Sequence, residues 1–138
     1  MRVVLDTNLF LSALLSAHGP PARIVEAWRA RRFELVSSLD QIEEFKRAAR
    51  YEKVRRYVSR GAVGKTVNGL RSADVLLRRV SRGTASPDPE DEYLLSMAIA
   101  AGADYLVSGD AALLRLKRIA QTRIVSPRRF ASTLARRA

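Results

Sequence analysis

The chain has 138 residues, 47% of them apolar, which is enough for one domain with a real core. With no cysteine and a single histidine, His18, it excludes disulfides, thiolate metal sites, a Cys nucleophile and any site that needs two histidines. Lys and Arg number 25 against 14 Asp and Glu, a net charge of +11. That surplus favours a polyanionic partner, with nucleic acid first and an acidic protein or membrane surface second.

The first segment, Arg2-Val3-Val4-Leu5-Asp6-Thr7-Asn8, joins a short β-branched run to a carboxylate, a hydroxyl and an amide. The run reads as a buried strand. Leu9 to Leu15 reads as a short apolar helix, and Pro20-Pro21 opens a second with Ile24, Val25 and Trp28 on one face. Trp28 is read as core. Phe33 to Val36 makes a second strand, and Ser38-Leu39-Asp40-Gln41 has the spacing of a capping box.

From Phe45 to Gly83 there are 12 Lys or Arg and two acids, Glu52 and Asp74. Helical spacing runs through Val54, Tyr57 and Val58 and breaks near Gly61 to Gly64. It resumes through Val67, Leu70, Val75, Leu76 and Leu77, which predicts helices with one basic side. Ser86-Pro87-Asp88-Pro89-Glu90-Asp91-Glu92 leads into an apolar helix from Tyr93 to Ala101, stopped by Gly102. Tyr105 to Val107 is a strand, Ser108-Gly109-Asp110 a turn and Ala111 to Leu116 a helix. Ile124-Val125 is a last strand, and Ser126-Pro127 caps a basic C-terminal helix. With no linker or repeat, one α/β domain over residues 1–138 with a parallel sheet is the economical architecture. No apolar run approaches the ~18 residues of a membrane span and the N-terminus has no signal-peptide pattern, so a cytoplasmic protein without membrane contact is expected.

On this outline the acids form a pattern. Asp6 and Asp110 follow strands at their carboxyl ends, Glu43 or Glu44 sits inside a helix that follows a third strand, and Asp88 and Asp91 open the helix leading to Asp110. In a parallel sheet these places share the edge where crevices form. Each acid also has a purely structural use, as a helix cap, in a helix first turn, or beside Lys46 and Arg47. Four carboxylates in one crevice would repel one another unless neutralised, and hard divalent cations with oxygen ligands do this. Such a site supports metal-assisted phosphodiester hydrolysis with no covalent nucleophile. Asp6 becomes the strongest candidate ligand, and capping of the following helix falls to Thr7.

The segments Val3 to Asn8, Ser38 to Phe45, Asp88 to Leu95 and Ala103 to Asp110, in this order and at these separations, resemble the PIN-domain nucleases. They are most similar to the bacterial and archaeal VapC-like toxins of toxin–antitoxin pairs, and the resemblance covers nearly the whole chain. It implies a three-layer α/β/α fold with a central parallel sheet of four to five strands. It also implies an acidic metal site of Asp6, Glu44, Asp91 and Asp110, with Asn8 and Ser108 as polar supports, Mg²⁺ or Mn²⁺ as cofactor, RNA as substrate and commonly a homodimer. Ser108 stands where many relatives have Thr, which keeps the hydroxyl.

Two ligand choices stay open. Periodicity puts the core face of the third helix on Leu39, Ile42, Phe45 and Ala49, leaving Glu43 nearer the flank, whereas the family pattern selects Glu44. Asp88 is placed to assist or replace Asp91, although the proline after it restricts it to extended backbone.

The leading expectation is a metal-dependent endoribonuclease acting as the toxin of a two-component pair. Its basic face from Phe45 to Arg82 and its C-terminal helix would hold RNA phosphates, and its groove would take a segment of an antitoxin. The alternatives are a PIN-like RNA-processing nuclease without a toxin role and a non-catalytic RNA-binding module whose acids are caps. Aspartyl-phosphate transfer is disfavoured, because Asn8 stands where that chemistry usually places a second acid.

Overall fold

The computed structural model describes residues 1–78 and 92–137. In chain order the elements are β1 (Arg2–Leu5), α1 (Thr7–Leu15), α2 (Pro20–Arg29), β2 (Glu34–Ser38), α3 (Leu39–Ala49), α4 (Glu52–Arg55), α5 (Arg60–Arg71) and β3 (Val75–Leu77). There follow α6 (Glu92–Ala101), β4 (Tyr105–Val107), α7 (Ala111–Leu116), β5 (Arg118–Ile119), β6 (Thr122–Val125) and α8 (Pro127–Arg136). The strands form one sheet in the order β3-β2-β1-β4-β6-β5. Pairing is parallel throughout except where β5 folds back on β6 at the edge. The expected α/β architecture is therefore the one observed.

Side chains alternate across the sheet, as period two requires. Val3 and Leu5 join a core with α1, α2, α3, α5 and α8, while Val4, Val36 and Leu106 join a second core with α6 and α7. Parallel strands covered on both faces read as continuous apolar runs, which is why Val3-Val4-Leu5 shows no polar alternation. On the first face the Phe10 ring meets Trp28 at 5.7 Å and Phe45 at 6.3 Å, both edge-on, and so ties α1 to α2 and α3. Trp28 belongs to the core, as the sequence implies. Among the described residues no helix is long and apolar enough to cross a membrane.

Three local expectations are corrected, and the sheet has six strands where four to five were implied. Val75 to Leu77 does not continue a helix but forms β3 beside β2, with Val36 opposite Val75. The Asp74 carboxylate fixes that junction by accepting the Leu35 N–H at 2.8 Å. Helix does not break at Gly61 to Gly64, since α5 runs through both glycines, with Ser59 as its cap and Thr66, Val67 and Leu70 buried. Packing outweighs propensity there. Thr7 is not the cap of α1 but its first residue, and Asp6 is the cap. The β5 strand has no apolar signature, and its short hairpin depends on Lys117 and Ala120 at positive φ (61° and 50°).

Two α5 glycines differ in what surrounds them. A Cβ on Gly64 would meet nothing, whereas one on Gly69 would lie 2.8 Å from the Trp28 ring. Gly64→Ala is expected to stabilise by about 1 kcal/mol, the helix-propensity difference. Gly69→Ala is expected to destabilise by about 1–3 kcal/mol, because the packed indole cannot yield freely. Urea denaturation of both variants checks this, and equal gains would contradict the Trp28 contact.

Candidate active site

The parallel register brings the acids together. Leu5 stands opposite Val107, so Asp6 and Ser108 are the next residues off two neighbouring strands. The ladder continues one step beyond the strands, with Asp6 N–H donating to the Val107 carbonyl at 2.9 Å and Ser108 N–H to the Val125 carbonyl at 3.0 Å. The Ser108 side chain is fully buried. Its hydroxyl donates to Asp6 Oδ2 at 2.6 Å and accepts the Asp110 N–H at 3.0 Å. One serine thus fixes Asp6 and holds the turn that carries Asp110.

Both acids also serve as caps. Asp6 Oδ1 accepts the Asn8 N–H at 3.2 Å at the start of α1, and Asp110 Oδ1 accepts the Ala112 N–H at 2.8 Å at the start of α7. Capping uses one carboxylate oxygen of each and so does not compete with a role in the crevice. Asn8 itself is exposed on the first turn of α1. Burial pushes the Asp6 carboxyl above its ordinary value; the Ser108 and Asn8 hydrogen bonds oppose this, and the neighbouring Asp110 charge adds to it.

Beneath Asp6 lies a buried polar network. Gln41 donates to the Leu5 carbonyl at 2.6 Å and accepts from Ser37 Oγ at 2.7 Å. It also reaches Thr7 Oγ1 at 3.5 Å, and that hydroxyl shares a 2.5 Å hydrogen bond with Tyr93. The capping box is therefore only half formed. Ser38 accepts the Gln41 N–H at 3.0 Å as expected, but the Gln41 side chain turns inward to β1. Gln41, Thr7, Ser37 and Tyr93 are the residues that sequence reasoning did not place here, since hydrophobic periodicity does not register a buried amide.

Gln41 also changes the reading of α3. The buried positions are Gln41, Ile42, Phe45, Ala48 and Ala49, with Leu39 only partly covered. This rotates the core face from the expected one and sets Glu44 on its flank, one turn after Gln41. Glu43 is exposed. Glu44 pairs with Arg47 at 2.6 Å, their side chains 41% and 64% exposed, a contact that holds it by only about 0.3–0.5 kcal/mol.

Asp6, Ser108 and Asp110 are thus brought together. Among the described residues no third acid joins them in a group able to hold a metal ion, and Asp88 and Asp91 lie outside the described residues. Two carboxylates are nonetheless a fitting donor set for a hard divalent cation, which commonly binds through one or two carboxylates together with water and phosphate oxygens. The Asp6 carboxyl, raised first by burial and further by the Asp110 charge, is one whose ionised form a nearby cation would stabilise.

The chain is similar to known proteins over most of its length. A model of the PIN domain family matches residues 2–112. The chain is 24% identical over 118 residues to the uncharacterized protein MJ1680 of Methanocaldococcus jannaschii, covering 85% of this chain and 76% of that protein. No solved structure matches.

Two outcomes are expected. A carboxylate with a raised folded pKa adds stability when protonated, and that contribution is lost as pH rises through the folded value. Asp6→Asn should therefore raise the melting temperature at pH 7 in chelator, with the advantage shrinking as pH falls and vanishing below the ordinary value of 3.8. A melting series from pH 3 to 8 reads this, and a gap that does not change with pH would contradict it. Gln41→Met keeps the volume but leaves the Ser37 hydroxyl without its acceptor, and should cost about 1–3 kcal/mol by urea titration.

Proposed function

The chain belongs to the PIN-domain family, whose members are generally nucleases, and from that premise we propose that it is a divalent-metal-dependent endoribonuclease of the toxin–antitoxin type. The observation that carries this reading is the Asp6–Asp110 pair, bridged by Ser108 where adjacent parallel strands end. Asp6 and Asp110 hold Mg²⁺ or Mn²⁺, with Glu44 and Asp91 completing the acidic set and Glu43 and Asp88 as their neighbours in reserve. The cation supplies Lewis acidity and charge neutralisation at the scissile phosphodiester.

The protein's own contributions are positional. Ser108 keeps one Asp6 oxygen aimed by occupying it, and Asn8 lies at the rim. The buried Gln41–Thr7–Tyr93 network prevents the end of β1 from shifting. Basic side chains outside the site draw in and hold the RNA backbone, since a net charge of +11 favours polyanions and makes binding salt-dependent. The toxin role, an antitoxin partner, a homodimeric state, a single domain and a cytoplasmic location complete the reading. The first three rest on the order and spacing of the family-like segments, and the last two on chain length and the absence of a long apolar run.

The test uses purified protein with single-stranded and folded RNA, in Mg²⁺, Mn²⁺ or chelator. Cleavage should appear only with metal and fall at least 100-fold in Asp6→Asn and in Asp110→Asn, the order of loss expected when a key electrostatic contact is removed. Cleavage that survives both substitutions would mean a contaminating nuclease. For the toxin role, expression should arrest growth of the host cell and the Asp6→Asn chain should not.

A further inference from the structure

The pole of the sheet opposite Asp6 and Asp110 carries a second group of charged side chains. Arg31 lies shortly before β2 and Asp74 directly before β3, at the amino ends of those strands, where α2 and α5 finish. A hollow of about 290 Å³ there is lined by Trp28, Arg29, Arg31, Lys65, Ser72 and Asp74. Gly69 lines it too, and its missing side chain lets the Trp28 ring lie against α5, since a Cβ there would sit 2.8 Å from the indole.

Two features of this hollow ask for more than helix ends. Arg31 stands at φ 59°, in the left-handed region. Its N–H donates to the Trp28 carbonyl at 2.9 Å and the Arg32 N–H to the Ala27 carbonyl at 3.0 Å, the helix-ending motif whose left-handed position usually holds glycine. An arginine there is strained, and such strain clusters at ligand sites. The charges are the second feature. Arg29, Arg31 and Lys65 share the hollow with Asp74, yet among the described residues none of the four is in an ion pair. Asp74 Oδ2 takes the Leu35 N–H at 2.8 Å instead. A helix C-terminus attracts cations, which accounts for Arg29 but not for Lys65 in the middle of α5. Opposite charges that share a hollow without closing on each other leave room for a ligand that complements both.

We propose that this hollow binds a guanine mononucleotide, with the base on Trp28 and Asp74 and the phosphate on Arg31 and Lys65. The inference goes beyond the ribonuclease reading and does not depend on it. Guanine presents two adjacent N–H donors, N1 and the exocyclic amine. Adenine presents one amine beside a ring nitrogen that accepts, and an ionised carboxylate only accepts. The indole offers the purine a flat apolar surface, and the guanidinium fork of Arg31 matches a phosphate. The Ser72 hydroxyl adds a donor and an acceptor for the ribose. The volume lies at the small end of ligand pockets, so the hollow takes one nucleotide and not a strand.

Trp28 is the chain's one tryptophan, so its fluorescence reports this hollow directly. The full chain, in chelator, is titrated with GMP, AMP, guanosine and inorganic phosphate, and calorimetry measures each affinity. GMP should quench the indole saturably and bind roughly 5- to 150-fold tighter than AMP, the span that one unmatched polar group costs. Guanosine and phosphate should each bind more weakly than GMP. Asp74→Asn keeps an acceptor for the Leu35 N–H and should remove the preference for GMP over AMP. Arg31→Gly relieves the left-handed strain, so it should raise the melting temperature while weakening GMP binding about tenfold or more. A purely structural Arg31 would give the first effect without the second. Arg123→Gln removes a cation elsewhere and should bind GMP as the parent does.

Thermal melts check that each variant folds, and Arg31→Gly carries the test if Asp74→Asn does not. No saturable quenching by GMP at millimolar concentration overturns the proposal. Equal affinities for GMP, AMP and phosphate overturn it too, by marking a site for any anion. So does GMP binding that Arg31→Gly leaves unchanged. Every readout is binding in chelator, so a failure of the ribonuclease reading leaves this result standing, and the reverse holds as well.

Discussion

The register between β1 and β4 is the constraint on which the rest depends. Leu5 opposite Val107 makes Asp6 and Ser108 leave the sheet side by side, close enough for a 2.6 Å hydrogen bond between hydroxyl and carboxylate. A slip of one residue would turn Val3 and Leu5 from one core to the other, and both cores are fully apolar at those positions. The same packing that determines the register therefore determines the site. β2 flanks β1 on its other side, with Val36 beside Val4, and its end delivers Ser38 and α3 to the same edge.

Burial of Asp6 has a cost that the surrounding structure only partly offsets. A carboxylate leaving water needs hydrogen bonds or a counter-charge. Asp6 has a hydroxyl and a backbone N–H, and its neighbour Asp110 is another acid. The helix that Asp6 caps contributes some positive potential from its N-terminus. Below it, the Gln41 network links β1, β2, α1, α3 and α6 through side-chain hydrogen bonds. A polar network satisfied in this way rigidifies what it touches, and it stops the end of β1 from relaxing to relieve the charge.

The molecule divides its charges. Asp6 and Asp110 lie together at one sheet edge, while cations of α3, α4 and α5 line a separate hollow in which no described residue is an acid. On the proposed reading this separation has a use: the cations supply affinity for the RNA backbone at a distance, and the acids attract a phosphodiester only when a metal ion neutralises them. Binding strength and reaction are then set by different residues.

Much of the fold could be read directly from the chain. Val3 to Leu5, Tyr105 to Val107 and the Ser126-Pro127 helix start are local patterns of apolar runs and caps, and local patterns survive folding. Asp6 and Asp110 were legible for the same reason, one directly after a strand and the other three residues beyond one. Val75 to Leu77 and the α5 glycines were not, because whether three aliphatic residues join a helix or a sheet edge depends on β2 and Asp74 being present. Gln41 was invisible as a core residue because its burial is made tolerable by the Leu5 carbonyl and Ser37, groups that only the fold brings near. The sequence by itself determined which residues carry charge and where strands end. Only the tertiary structure decided that Asp6 caps a helix and faces Asp110 at once, because the distance between residues 102 and 104 positions apart in the chain is set by sheet register, a property of no single segment.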